Sequence, residues 1–229
     1  MKAKWGMVVV AGRGKIGGHV ASQNRSGAYF RTKVTPVNPQ SSAQVNVRSR
    51  LSGNSSGWRG LTEDQRLAWN NAVSDYKRTD IFGDIQSPSG FNLYVKLNSN
   101  LANIGIASII TPPLPVAVST FDTGTLTGAS GTPALSLAVT PSTQPTAETI
   151  IVFATPALSA GKSFVKSEFR QIGTFTAATT GAYNLLSMWN AKFGSMGAVG
   201  TKIFVKVVHV NETTGQQSQA QMYSIVIAS

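Results

Sequence analysis

Thr201-Lys202-Ile203-Phe204-Val205-Lys206-Val207-Val208-His209-Val210 is the longest regular alternation in the chain. Ile203, Val205, Val207 and His209 fall on one side, and Phe204, Val208 and Val210 on the other. A two-residue period sends successive side chains to opposite faces of a strand. With apolar residues on both faces, the strand is expected in the middle of a sheet, covered on either side. Working outward, Leu135–Thr140, Glu148–Thr155, Phe169–Phe175 and Gln221–Ala228 are further strand candidates, separated by Gly, Pro, Ser and Thr. Several short strands at turn-separated intervals predict an immunoglobulin-like or fibronectin-like β-sandwich over residues 116–229. Tyr183-Asn184-Leu185-Leu186-Ser187-Met188-Trp189 reads as a helix inserted between two of its strands.

Upstream, Thr111-Pro112-Pro113-Leu114-Pro115 stops any helix and favours an extended linker, so a domain boundary is expected at 111–115. Residues 1–110 then form a basic β-ribbon followed by three helices, which makes the whole chain α+β. The ribbon, within residues 5–35, has two apolar or alternating stretches, Met7–Ala11 and Tyr29–Val34, around a glycine-rich segment. Phe30, Thr32 and Val34 are expected on one face, and Tyr29, Arg31 and Lys33 on the other. Asn24-Arg25-Ser26-Gly27 reads as a turn. The first helix is expected from about Ser41 to Leu51, with Val47 and Leu51 one turn apart. The second starts at the capping box Thr62-Glu63-Asp64-Gln65, whose acids also suit the helix dipole. The third starts near Ser87-Pro88 with Pro88 at its first position, and Phe91, Tyr94, Val95, Asn98, Leu101, Ala102 and Gly105 share a face. Trp58, Trp69 and Phe91 are the expected core anchors of this helical part.

Charge is distributed unevenly. The net charge is +11, yet residues 1–62 hold ten Lys or Arg and no acid, whereas from Ala107 onward there are six basic and four acidic residues. A one-signed stretch needs a counter-charge: nucleic acid, an anionic surface, or an acidic patch on a partner. The plainer reading is a solvated basic face. Charged residues are only 13% and apolar ones 41% of the chain, which argues for a folded protein. No cysteine is present, so disulfides and thiolate metal sites are excluded. The apolar run Met7–Ala11 is too short for a signal-peptide core or a bilayer span, and a soluble protein made in the cytoplasm is expected.

Gly12-Arg13-Gly14-Lys15-Ile16-Gly17 matches the dinucleotide-binding fingerprint on paper. That fingerprint needs a helix after the third glycine and an acid about 20 residues on. Here Gly18 and Asn24–Gly27 interrupt a helix, and the first acid is Glu63. A hairpin in which glycines supply tight turns fits better, and an NAD- or nucleotide-dependent enzyme is the least favoured reading. His19 and His209 are the only histidines, the carboxylates do not pair, and no serine sits in a nucleophile elbow. No catalytic residue, cofactor or metal is therefore expected. Contacts are expected instead from Arg13, Lys15, Arg25, Arg31, Lys33, Arg48 and Arg50, made to other subunits or to DNA. Tyr29 and Phe30 lie beside several of these cations, so sequence-independent nucleic-acid binding is the alternative function.

The order of several short motifs supplies a further expectation. Gly14-Lys15-Ile16-Gly17-Gly18-His19 through Gly27-Ala28-Tyr29-Phe30-Arg31, then Pro36-Val37-Asn38-Pro39-Gln40, Gln44 and Arg48, form one block. Trp58, Leu61-Thr62-Glu63-Asp64-Gln65-Arg66-Leu67-Ala68-Trp69, Gly83, Ser89-Gly90, Asn98 and Gly105 follow it. Over about residues 5–105 this series resembles small structural proteins of tailed bacteriophages. The resemblance implies a virion component of the capsid, neck or tail ring, present in many copies. Its partners would be other virion proteins and copies of itself in a ring or lattice, with packaged DNA a possible contact and no membrane. An appended immunoglobulin-like domain suits such a protein by analogy.

Overall fold

The computed structural model describes residues 2–3, 12–24, 27–140, 146–176 and 182–229, with Lys2 and Ala3 as backbone alone. The strand expected at Met7–Ala11 lies outside the described residues, as do Arg25 and Ser26 of the expected turn. The fold is α+β, with four helices and several antiparallel sheets among the described residues. The chain forms two compact units, Met1–Ser49 with Lys77–Ser87, and Arg50–Tyr76 with Pro88–Ser229. Residues on both sides of the proline run 111–115 therefore share the larger unit.

The smaller unit is built on a four-stranded antiparallel ribbon: β1 (Lys2–Ala3), β2 (Gly14–Ile16), β3 (His19–Asn24) and β4 (Gly27–Thr32), in the order β1-β4-β3-β2. The fingerprint glycines form a hairpin and no helix follows them. Ile16 pairs with His19 across a two-residue turn, Gly17-Gly18, and Gly17 takes φ +55°, which glycine adopts without penalty. Val34 falls beyond the end of β4 and is exposed. The segment Thr79–Ile85 returns as a short hairpin, β5 (Arg78–Thr79) with β6 (Ile85–Gln86).

Helix α1 (Ser42–Gly60) begins in the smaller unit and runs into the larger one. It extends well past the expected end near Leu51, through Gly53 and Gly57, which are poor helix formers. Tertiary contacts account for the extension. Asn54 is buried and donates to Ser99 Oγ at 2.9 Å, and Trp58 packs on Phe91 and Tyr94 at 5.7 and 5.5 Å. Gly57 lets the helix approach Tyr94, because a Cβ there would lie 2.7 Å from the hydroxyl. Val47 and Leu51, one turn apart on this helix, are exposed.

Helix α2 (Glu63–Ala72) carries the expected capping box: Gln65 N donates to Thr62 Oγ1 at 3.3 Å and Thr62 N to Gln65 Oε1 at 2.9 Å. A 3-10 turn, Val73–Tyr76, ends it. In α3 (Gly90–Asn103) the N-cap is Ser89, so Pro88 precedes the cap and is not the first helical residue. Its buried face is Leu93, Tyr94, Leu97, Asn98 and Leu101, rotated from the expected one, and Phe91 and Val95 are only half-buried. Trp69 is fully buried and meets Tyr94 edge-on at 5.3 Å.

Two sheets complete the larger unit. One is β10 (Arg170–Phe175), β9 (Glu148–Ala154), β12 (Lys202–Asn211) and β13 (Gln221–Val226), in the order β10-β9-β12-β13. The other is β11 (Tyr183–Asn184), β8 (Ala134–Thr140) and β7 (Thr123–Ala129), in the order β11-β8-β7. The strand β7 was not anticipated; its Thr and Gly content resembles the intervening turns. Helix α4 (Leu186–Phe193) replaces only part of the helix expected over 183–189, since Tyr183–Asn184 pair with Ser136–Leu137. One core receives Leu126, Leu135 and Leu137 from the second sheet, and Ile150, Val152, Ile203, Val205 and Val207 from the first. Trp189 of α4 plugs this core, its indole N–H donating to Thr155 O at 3.0 Å.

Candidate functional site

The ribbon places its cations by strand alternation. Lys15 pairs with Val20, which pairs with Arg31, so this row lies on one face of β2, β3 and β4. Tyr29 shares that face. The opposite face holds Ala21, Ala28 and Phe30. Ala21 and Ala28 are the only buried apolar residues of the smaller unit among the described residues. The structure thus brings Lys15 and Arg31 together, both exposed, with Arg13 and Lys33 exposed at the strand ends. Lys33 N donates to Gly18 O at 2.8 Å, which fastens the chain after β4 to the glycine turn.

Arg48 and Arg50 are placed differently. Arg48, exposed on α1, donates to Asn38 Oδ1 at 2.7 Å and pins the extended segment before the helix. Arg50 belongs to the larger unit, where it donates to Asn103 Oδ1 at 2.7 Å. Arg25 lies outside the described residues.

Charge is only half of what the smaller unit exposes. Ile16, Val34, Val37, Val47, Ile81 and Ile85 are 58, 68, 84, 62, 76 and 71% exposed. Single exposed apolar residues are ordinary, but among the described residues of this unit most large aliphatic side chains are in solvent. Burying such a side chain gains about 1.5–3 kcal/mol, so covering these six would stabilise the unit further. Sequence reasoning found the cations and missed this apolar exposure, because Val34 and Val47 look like core residues in a pattern that does not show what packs on them.

Compared with family models, curated proteins and solved structures, the chain matches none.

The two histidines have different settings. His19 is exposed on the ribbon. His209 is buried, its Nδ1 3.2 Å from Glu148 Oε2, with Phe121 packed edge-on at 4.6 Å. Glu148 Oε1 accepts from Ser119 N at 3.1 Å. Burial pulls the His209 pKa below its ordinary value, against the opposing effects of the Glu148 hydrogen bond and charge. A neutral imidazole donating from Nδ1 satisfies this geometry, and it braces the chain at Ser119 against β9. Both side chains are buried, which is the setting of a structural contact. Among the described residues no group of three or more His, Asp or Glu side chains is placed to hold a metal ion. Among the same residues no helix is long and apolar enough to cross a membrane.

Proposed function

We infer that the chain is a structural component of a tailed-bacteriophage virion, capsid-associated or in the neck or tail ring, assembling in many copies through its basic N-terminal segment. One observation carries this reading. Among its described residues the smaller unit buries only Ala21 and Ala28 as apolar residues, while exposing Ile16, Val34, Val37, Val47, Ile81 and Ile85 together with Arg13, Lys15, Arg31 and Lys33. A segment of that kind reaches its full stability only when neighbouring chains cover it, which is the behaviour of an assembly protein. The two-sheet part is read as the immunoglobulin-like sandwich expected from the strand pattern; the antiparallel pairing of its named strands and the shared core support this. Its place in the particle is that of a spacer or a second contact face, and the protein resides in the virion after synthesis in the host cytoplasm.

Mass spectrometry of purified particles tests the reading directly: stoichiometric amounts are expected, and complete absence overturns it. In solution, Val34→Asp with Val37→Asp should abolish higher-order assembly seen by light scattering while leaving the Tm within a few degrees, since both side chains are exposed. Assembly undiminished by both substitutions would remove the N-terminal segment from the interface.

A further inference from the structure

The outer face of the four-stranded sheet carries a second surface. Gln171, Phe153, Lys206 and Met222 pair in one row across β10, β9, β12 and β13, so their side chains leave the sheet on the same side. This side is opposite the one that sends Val152, Val205 and Val207 into the core. Lys206 Nζ sits 4.4 Å from the centre of the Phe153 ring and 5.0 Å from that of Phe169. Beside it lies an open cleft of about 280 Å³ whose walls include Phe164, Lys166, Phe169, Lys206 and Met222. Phe164 is 76% exposed and Met222 58%. Lys202, on the same face of β12, lies over the Phe204 ring at 4.8 Å. No carboxylate lines the cleft. The nearby Glu168 is held by Lys162 at 3.1 Å.

We propose that this face binds single-stranded nucleic acid, with an unpaired base in the cleft against Phe164 and backbone phosphates on Lys166, Lys202 and Lys206. Three features select this ligand. First, Lys166 and Lys206 line the cleft, Lys202 shares the Lys206 face, and no carboxylate lines the cleft, a local concentration of positive charge that suits a polyanion. Second, the cleft walls are mostly apolar, from Phe164, Val165, Phe169 and Met222, with Ser163 and the two lysines as the polar side chains. That is fewer polar partners than the run of backbone amides in a peptide would need. A base buries its π face and keeps its polar edge in water, and stacking on an aromatic ring is indifferent to which base it is. Third, a duplex keeps its bases stacked on each other, so it would meet the lysines and leave the cleft empty. Lys202 and Lys206 are four residues apart on one strand, roughly 13 Å, which sets two cations along the path of a backbone. The surface is separate from the N-terminal cations, and the proposal stands independently of the virion reading.

Fluorescence anisotropy with a labelled oligothymidylate on the full chain tests it. The single strand should bind more tightly than a duplex of equal length. Its log K should fall with log salt at a slope of roughly −1.4 to −2.1, the value for two or three phosphates. Phe164→Ala and Lys206→Gln should each weaken binding about tenfold, and Phe164→Trp should restore it, because indole also stacks. Exposed Phe164 can be changed without disturbing the fold, so its variants keep the test decisive if Lys206→Gln does not fold. The proposal is overturned by no binding, by a duplex binding as tightly as the single strand, or by poly-glutamate displacing the oligonucleotide equally well. It is also overturned if Phe164→Ala binds like the parent while replacing Arg13, Lys15 and Arg31 by Gln abolishes binding.

Discussion

His209 shows what one residue can settle. The strand pattern places it on the face of Val205 and Val207. The structure supplies the partner, Glu148, sixty-one positions away in sequence, which no local pattern reveals. Because burial lowers its pKa, the unfolded chain takes up a proton more readily than the folded one as the solution is acidified. The stability that His209 contributes is therefore complete above its ordinary pKa of 6.5 and declines as the pH falls below it. Thermal unfolding followed from pH 8 downward should show the Tm dropping as the pH falls below 6.5 in the parent chain. The drop should be smaller in His209→Gln, which keeps an amide donor for Glu148 and has no proton to gain. Parallel pH profiles for the two proteins would mean that other groups carry the dependence.

The helices and strands show where local signals are strong and where packing overrides them. The α2 start was legible to the residue because Thr62 and Gln65 satisfy each other's backbone partners without help from the rest of the fold. Thr62→Ala should cost about 1 kcal/mol and Thr62→Ser close to nothing, read from the urea midpoint at constant m-value. An equal loss in both would assign the effect to the Thr62 methyl group. Helix α1 was read too short for the opposite reason. Its second half is held by Asn54, Trp58 and Arg50 through partners on or beside α3, so the glycines that argue against a helix locally are tolerated. The same limit hid the true face of α3, because Leu93 and Leu97 gain their burial from Trp69 and Val73 of the preceding segment. Strands β8, β9, β10, β12 and β13 were all legible, since each couples apolar residues with flanking turn residues.

At the scale of the molecule, the proline run was read as a linker, but its surroundings make it part of a packed unit. Tyr76 donates to Pro113 O at 2.9 Å, and Gln216 binds Tyr76 Oη, Leu114 O and Val116 N, each at 2.9 Å. Asn100 donates to Gly215 O at 2.8 Å, and Asn103 to Gln171 Oε1 at 3.3 Å. None of these partners is adjacent in sequence, and composition alone cannot foresee a glutamine that stands in for a neighbouring strand. Gly215 fits against α3 because it takes φ +70° and has no Cβ, which would otherwise strike the Leu97 carbonyl. The helices and sheets of the larger unit should consequently unfold together. In a Trp5→Phe background, tryptophan fluorescence reports Trp58 and Trp69 in the helices and Trp189 against the sheet core, and it should trace the same urea transition as far-ultraviolet circular dichroism. Gly215→Ala must distort either its own backbone or a hydrogen-bonded helix turn, and should cost about 1–3 kcal/mol. If the helices are fastened to the sheets through this contact, that variant should also separate the two transitions. Coincident transitions at undiminished stability in Gly215→Ala would show that the contact does not hold the helices to the sheets.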